Sequence, residues 1–246
     1  MYKMLLDCKG KTDIGNKRQT NQDYFIIEEM SDNCILMVVC DGMGGVVGGS
    51  EASSIAASVF AEYVKTNIRD GVCRSQILID AQKKANDAVC DKSEKDSELE
   101  GMGTTLAAAL YENGKYNCLW VGDSRIYAIT NNGIKQLSHD HSFVQTLIDS
   151  GNLTNEEAKS HPNRNIITKA IGTDRGLVGD ICEISDEGLD GILLCSDGLC
   201  GYVEEEQMAN ICLSYQSAQD CSEKLVSAAN DAGGYDNITV IIHKKS

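Results

Sequence analysis

Residues 34–45, CILMVVCDGMGG, place an aspartate and a glycine directly after a run of seven apolar residues. A short apolar run that contains β-branched side chains and ends in turn residues is typical of a buried strand. Asp41 therefore lies where a buried strand meets a turn. The other acids of the sequence can be compared with Asp41, and the comparison bears on both the fold and the function.

The same arrangement recurs along the chain. Asp123 follows CLWVG, Asp197 follows ILLCS, Asp236 precedes the apolar run 238–242, and Asp23 precedes YFII. Any one of these acids is explained by the turn preference of aspartate and glycine. Turns alone do not require apolar strands to end repeatedly in aspartate, so we expect these carboxylates to gather at one edge of a sheet core.

Strands are predicted at residues 35–40, 119–122, 192–195 and 238–242. Asn113-Gly114 and Asn132-Gly133 lie between strand-like runs and indicate tight hairpins, which predicts an antiparallel meander over residues 104–111, 116–122 and 125–130. Helical periodicity occurs at 50–69, which opens with capping residues, and at 76–92, 204–213 and 218–231. Hairpins and separate helix pairs favour an α+β fold with antiparallel sheets over a doubly wound parallel sheet.

Residues 139–176 are polar and irregular, with short helices predicted at 143–149 and 155–160. This segment is expected to be an insertion on the surface. The chain of 246 residues is long enough for one large domain or two small ones.

The amino-acid composition disfavours several classes of function. The formal net charge of −15 disfavours binding to nucleic acid backbones and to anionic membranes. The 11 cysteines are odd in number, scattered and without a C-x-x-C pair, which indicates buried thiols in a reducing compartment. No apolar stretch near the N-terminus has the length of a signal peptide, so a cytosolic protein is expected.

Carboxylates without clustered His or Cys favour hard cations, so the expected metal is Mn²⁺ or Mg²⁺, as a pair bridged by one shared carboxylate. The four histidines lack zinc-ligand spacing, and for each a surface or hydrogen-bonded role is favoured. A bridged pair lowers the pKa of a water between the ions, and the hydroxide attacks in line, so phosphoester hydrolysis is the natural reaction. Arg18 is the candidate for gripping phosphate oxygens.

The glycine-rich segment DGMGGVVGG lacks the P-loop pattern and contains no Lys or Arg. Its glycines are expected to let the backbone approach a metal, with the Gly42 carbonyl as a ligand.

Six motifs then occur in order between residues 18 and 239: RQTNQD, VVCDGMGG, GMGTT, VGDSR, SDGL and YDNIT. Together they resemble the metal-dependent protein phosphatases of type 2C, bacterial branch. The resemblance implies a serine/threonine phosphatase with a β-sandwich flanked by helix pairs, in four αββα layers. It also implies a single catalytic domain over residues 1–246, with residues 139–176 as a mobile flap beside the site.

The resemblance also implies roles for individual residues. Asp41 corresponds to the ligand that bridges two metals, Gly42 to a backbone-carbonyl ligand of the first, and Asp197 and Asp236 to ligands of the second. Asp23 corresponds to an acid that supports the metal-bound water, and Arg18 to the phosphate-binding arginine. Asp123 corresponds to a ligand of a third, weaker metal; the alternative is that it caps a turn and pairs with Arg125.

The sequence departs from the family pattern in several places. Val46, Gly48 and Ser50 replace the His, Ala and Glu that are common there, Met43 stands where eukaryotic relatives have a proposed general acid, and Lys169 replaces a common Arg. None of these changes removes a metal ligand, so activity is expected.

Two alternatives remain open: an inactive regulatory module of the same fold, and another metal-dependent phosphohydrolase such as a nuclease. The expected partners are phosphorylated proteins and a cognate serine/threonine kinase. Nothing in the sequence demands more than a monomer.

Overall fold

The structure, a computed structural model, describes residues 7–245 apart from the side chains of residues 46 and 47. Its strands are β1 (Asp7–Asp13), β2 (Asp23–Ser31), β3 (Cys34–Met43), β4 (Gly103–Thr104), β5 (Leu106–Glu112), β6 (Lys115–Val121), β7 (Arg125–Thr130), β8 (Gly133–Gln136), β9 (Asp180–Ser185), β10 (Gly191–Cys195) and β11 (Ile238–Lys244). Its α-helices are α1 (Gly45–Asn67), α2 (Arg74–Lys95), α3 (Phe143–Asp149), α4 (Asn155–Lys159), α5 (Asp197–Cys200), α6 (Glu205–Ser214) and α7 (Ala218–Asp231).

The strands form two antiparallel sheets. The first sheet has the order β1-β11-β10-β7-β8. The second has the order β2-β3-β5-β6-β9, with β4 paired to the end of β3. Consecutive strands are joined mainly by short turns, which is why the hairpin signals in the sequence are informative.

Strand β3 shows how the layers are held together. Leu36, Val38 and Cys40 pack into the cluster that contains α1 and α2. The alternate residues Ile35, Met37 and Val39 pack into the cluster between the two sheets. Because successive side chains of a strand point to opposite faces, a run that is apolar throughout serves two cores at once.

A third apolar cluster lies on the other side of the molecule, where α6 and α7 cover the first sheet. The order is therefore helices, sheet, sheet, helices. The predicted α+β class and four-layer sandwich are confirmed.

Several predicted elements match closely. Helices α3 and α7 have the predicted bounds, and the β5–β6 hairpin has its turn at Asn113 and Gly114, with φ values of 49° and 85°. The second hairpin also forms, but only Gly133 of its Asn-Gly pair has a positive φ. The turn lies at Asn131 and Asn132, because Thr130 already pairs with Gly133, and the predicted strand pairing is confirmed.

Helix α1 begins earlier than predicted. It starts at Gly45 after an N-cap at Gly44 that makes no side-chain capping hydrogen bond, whereas capping residues near Ser50 were expected to begin it. Glycine is a poor helix former in isolation. Packing of this first turn against the end of β3 outweighs that preference, as described below.

Residues 139–176 form the predicted insertion, with α3 and α4 inside it. An isolated bridge between Ser142 and Ile167 closes the segment on itself, and a second bridge, Thr104↔Ile171, ties it to β4. No helix within residues 7–245 combines the length and the apolar character needed to cross a bilayer. The prediction that no signal peptide is present concerns in part residues 1–6, which lie outside the described residues.

Candidate metal centre

The five predicted aspartates come together at one end of the sandwich. Asp23 opens β2 and is the direct cross-strand neighbour of Asp41 near the end of β3. Asp197 opens α5 directly after β10, Asp236 lies just before β11, and Asp123 follows β6. Burial raises the pKa of Asp41 well above its usual range, and the charges of Asp23, Asp197, Asp123 and Asp236 add in the same direction.

Burial and the charges of neighbouring carboxylates also raise the pKa values of other acids in the cluster. Burial, opposed by hydrogen bonds from Ser196 and Thr239, raises the pKa of Asp23 to about 7. Burial, followed by the charges of Asp197 and Asp140, raises the pKa of Asp123 to about 8. Burial and the charge of Asp236 also raise the pKa of Asp197. Such a cluster is unfavourable unless a positive charge balances it.

Two oxygens in this cluster are orphaned. The Oδ1 atoms of Asp23 and Asp197 are buried and have no hydrogen-bond partner among the described residues. Buried carboxylate oxygens without donors, in a cluster of like charges, match what a hard divalent cation requires. As placed, no three His, Cys, Asp or Glu side chains within residues 7–245 already converge on a single ion position. The donor set fits the predicted cation in charge and ligand type.

Arg18 is drawn into the cluster. Its Nη2 donates to Asp236 Oδ2 at 2.7 Å, while 52% of its side chain stays exposed. The loop before it is docked on the segment after α7, because Asn16 N donates to Gly234 O at 2.7 Å. The sequence predicts a phosphate-binding arginine, and the structure places that arginine beside a predicted metal ligand.

Asn237 holds the loop that carries Arg18 in place, a role that we did not predict from the sequence. Its Nδ2 donates to the carbonyls of Ile14 and Thr20, both at 3.0 Å, and its Oδ1 accepts from Gln22 N at 2.9 Å. One buried amide therefore holds both ends of the loop that carries Arg18. The only sequence signal was its place in the motif YDNIT, directly after Asp236.

Two threonines of the motif GMGTT position Asp41. Thr105 Oγ1 accepts from Asp41 N at 2.9 Å, and Thr104 Oγ1 donates to Asp41 O at 2.8 Å. Thr105 Oγ1 also lies 2.6 Å from Ser124 Oγ, which links this contact to the residue after Asp123. These buried hydroxyls were not assigned a role from sequence, because threonine at a strand end has many structural uses.

Ser196 holds Asp23 in a similar way. Its Oγ donates to Asp23 Oδ2 at 2.7 Å and accepts from Thr239 N at 3.0 Å. One oxygen of Asp23 is therefore fixed, while the other is the orphaned atom described above.

The glycines of residues 42–49 allow close packing. A Cβ added to Gly42 would lie 2.0 Å from Gly49 O and 2.7 Å from Gln22 O. Only glycine leaves room for the first turn of α1 against the end of β3. This explains the early start of α1 and adds a packing reason to the metal-approach role expected for Gly42.

Arg125 does not pair with Asp123, as one alternative required. It makes a bidentate ion pair with Asp140, with Nε 3.0 Å from both carboxylate oxygens and Nη2 2.7 Å from Oδ2. His141 lies nearby, and its Nδ1 accepts from Gly122 N at 3.1 Å, which confirms a hydrogen-bonded role for this histidine. Asp123 is thereby left without Arg125 as its partner.

Comparison with known proteins identifies the family of this chain. Residues 10–236 match the family model described as protein phosphatase 2C. The serine/threonine phosphatase stp of Listeria welshimeri is 34% identical, with 98% of this chain and 96% of the relative covered.

Solved structures give the same result. The serine/threonine phosphatase Stp1 of Staphylococcus aureus is 33% identical with a TM-score of 0.93, covering 98% of this chain and 96% of that one. The catalytic domain of the serine threonine protein phosphatase PstP, solved with two manganese ions, is 29% identical with a TM-score of 0.85 and 98% coverage of both chains. The family model covers residues 10–236 and the relatives cover nearly the whole chain, so this chain belongs to the protein phosphatase 2C family.

Proposed function

We propose that this chain is a single catalytic domain over residues 1–246 that hydrolyses phosphoserine and phosphothreonine in proteins at a centre of two or three Mn²⁺ or Mg²⁺ ions. Serine/threonine phosphatase activity is the function of its relatives over nearly the full chain. The observation that carries the proposal is the gathering of five aspartates at one end of the sandwich, with two orphaned buried oxygens.

The ligand roles follow from position. By correspondence with the family pattern, Asp41 would be the ligand shared by two ions, and the nearness of the four other acids supports this role. The Gly42 carbonyl would complete the first site, and Asp197 and Asp236 the second. Asp123, approaching from the end of β6, would hold a third ion. When bound, these ions acidify the attacking water and neutralise charge on the phosphoryl group.

Asp23 and Arg18 would serve the substrate side of the reaction. Asp23 Oδ1 is buried and unpartnered, so it is free to accept a hydrogen bond or a proton from the attacking water. Arg18 uses Nη2 for Asp236 and is half exposed, so its remaining N–H groups can bind phosphate oxygens. Arg18 would therefore orient Asp236 and the substrate together.

The wider setting is proposed on the same basis. Substrates would be phosphorylated proteins supplied by a cognate serine/threonine kinase, and the chain would act as a monomer in the cytoplasm. All eleven cysteines are free thiols, as a reducing compartment requires. The net charge of −15 continues to disfavour the nuclease alternative.

The test compares a phosphothreonine peptide, nitrophenyl phosphate and single-stranded DNA. After exhaustive dialysis against EDTA, hydrolysis of the two phosphomonoesters should be lost and should return with Mn²⁺, while DNA remains intact. Full activity in EDTA would show that hydrolysis does not require a metal ion. DNA cleavage without peptide dephosphorylation would favour the nuclease, and an inert, folded protein in Mn²⁺ would favour the inactive module.

A further inference from the structure

Two tyrosines stack beside the proposed metal centre. The rings of Tyr202 and Tyr235 have centroids 5.4 Å apart and an interplanar angle of 29°. Tyr235 directly precedes Asp236, and Tyr202 lies two residues after α5, the helix that Asp197 opens. Burial, and next the charges of Asp197 and Asp236, raise the pKa of Tyr202, which places its hydroxyl within the field of the carboxylate cluster.

A cation lies against each ring. Lys17 Nζ is 5.9 Å from the centroid of Tyr235, and the Arg164 guanidinium carbon is 5.7 Å from that of Tyr202. Both distances are within the range of cation–π attraction. We call Lys17, Arg164, Tyr202 and Tyr235 the aromatic-basic edge.

The two cations are not neutralised by acids. Over residues 7–245, neither Lys17 nor Arg164 has a carboxylate within ion-pair distance. Four other arginines do pair with carboxylates: Arg18 with Asp236, Arg74 with Glu112, Arg125 with Asp140, and Arg175 with Asp91 and Glu94. Other cations of the described residues, such as Arg69 and Lys83, also have no ion pair, so what distinguishes Lys17 and Arg164 is their position against two stacked rings beside the reaction site.

The edge is also accessible and held in place. Tyr235 is 53% exposed. Arg164 comes from the segment 139–176, which is attached here because Lys159 Nζ lies 2.8 Å from Glu204 Oε2 and Arg164 Nη1 donates to Lys159 O at 2.7 Å. Exposed aromatic rings offer a surface for a peptide backbone and aliphatic side chains, and the free charges offer contacts for anionic ones.

We propose that the aromatic-basic edge binds the residues that flank the phosphorylated side chain and selects phosphopeptides with Asp or Glu at these positions. This inference rests on the proposed phosphatase function and specifies its substrate class. A peptide that enters the site beside Asp236 passes Tyr235 and Tyr202, so its flanking side chains come within reach of Lys17 on one side and Arg164 on the other. A basic flank would meet like charge at the same positions.

The expected effect is moderate, because both cations are exposed. Surface ion pairs contribute little individually, so each acidic contact should change kcat/KM roughly two- to fivefold. Two contacts acting together should give a ratio of about tenfold between an acidic and a basic flank at low salt, and the ratio should fall as salt screens the charges.

The experiment uses the full chain with Mn²⁺ and three phosphothreonine peptides that differ only in having Glu, Ala or Lys on both sides of the phosphothreonine. The wild type should prefer Glu over Ala and Ala over Lys. The double variant Lys17→Glu/Arg164→Glu should abolish or reverse this order. The control Lys83→Glu/Lys84→Glu changes two exposed lysines of α2 and shifts net charge equally, and it should keep the wild-type order.

Each outcome has a distinct meaning. Equal kcat/KM for the three peptides in the wild type would overturn the edge while leaving the phosphatase function intact. The same loss of preference in both double variants would assign it to net charge and would also overturn the edge. No turnover of any peptide by the wild type would instead refute the proposed function on which the inference rests.

Discussion

Acids are buried at both ends of the second sheet, but their carboxylates find hydrogen-bond and ion-pair partners to different extents at the two ends. At one end, after β9, Asp186 accepts a hydrogen bond from the Tyr111 hydroxyl at 3.0 Å and pairs with Lys245 Nζ at 3.1 Å. At the other end, Asp23, Asp41 and Asp123 lie near one another with raised pKa values, and Asp23 keeps an oxygen without a partner.

The difference shows that burial of an acid is not itself a functional signal. Asp186 is buried and satisfied, so its neighbours explain it as structure. Among residues 7–245, the cluster around Asp41 has too few donors and cations to balance its charge, so an external charge is the natural explanation. Three predictions test this contrast, from the largest effect to the smallest.

The first prediction sets Asp41→Asn against Asp186→Asn. Asp41→Asn should lower kcat on nitrophenyl phosphate by on the order of a hundredfold or more, because the proposed bridging ligand helps to generate the nucleophile. Asp186→Asn should leave kcat per folded molecule near the wild-type value. Steady-state kinetics in saturating Mn²⁺ on folded protein measures both.

A variant Asp41→Asn with near-normal kcat and bound metal would show that the site has been assigned to the wrong acid. The same result is expected for Asp236→Asn as for Asp41→Asn, which provides an internal repeat. A large loss of kcat in Asp186→Asn would instead remove the distinction between the two ends.

The second prediction compares Asp123 with Asp140, two acids at the same end of the sandwich as the proposed metal centre. Asp123 has no cation within ion-pair distance in the described part of the chain, whereas nearby Asp140 is bound by Arg125 and has only 8% of its side chain exposed. Asp123→Ala should keep two tightly bound metals but lower turnover roughly tenfold, about 1.4 kcal/mol in the barrier. Asp140→Asn should mainly lower the melting temperature, because it breaks a bidentate ion pair.

Metal stoichiometry, melting temperature and kcat should be measured on the same samples. Normal kcat in Asp123→Ala, together with a lowered melting temperature, would reject the third-metal role and give Asp123 the turn-capping role. Loss of all bound metal would place Asp123 in the core pair.

The third prediction concerns stability in EDTA. An acid whose folded pKa is raised releases its proton first in the unfolded chain, so folding loses stability as pH rises from the unfolded value near 4 to the folded value. For Asp123 that folded value is about 8. The wild type in EDTA should therefore melt at a lower temperature at pH 8 than at pH 5.5, and Asp123→Asn should raise the pH 8 value by several degrees.

Asp186→Asn should move the melting temperature at pH 8 in the opposite direction. It weakens a buried hydrogen bond and an ion pair, a loss of about 1–3 kcal/mol. Calorimetry in EDTA at both pH values decides the matter. Equal destabilisation by Asp123→Asn and Asp186→Asn would mean that the two ends do not differ in how their acids are satisfied.

The sequence by itself determined the apolar strands, the hairpin at Asn113-Gly114 and the bounds of α7, because these depend on local periodicity and turn chemistry. It also predicted that the aspartates gather, since each lies next to an apolar run, either before it or after it. The early start of α1 could not be predicted, because the glycines at its N-terminus are unfavourable locally and are explained only by contact with the end of β3.

Only the tertiary structure decided how the site is supported. Asn237 joins carbonyls and an amide from residues more than two hundred positions away, and Ser196 reaches Asp23 across 173 positions. Arg125 forms its ion pair with Asp140 and not with Asp123, although Asp123 is closer in sequence. The physical reason is the same in each case: a polar side chain acquires its role from the partners that burial brings to it, and those partners are set by strand order and not by neighbours in sequence.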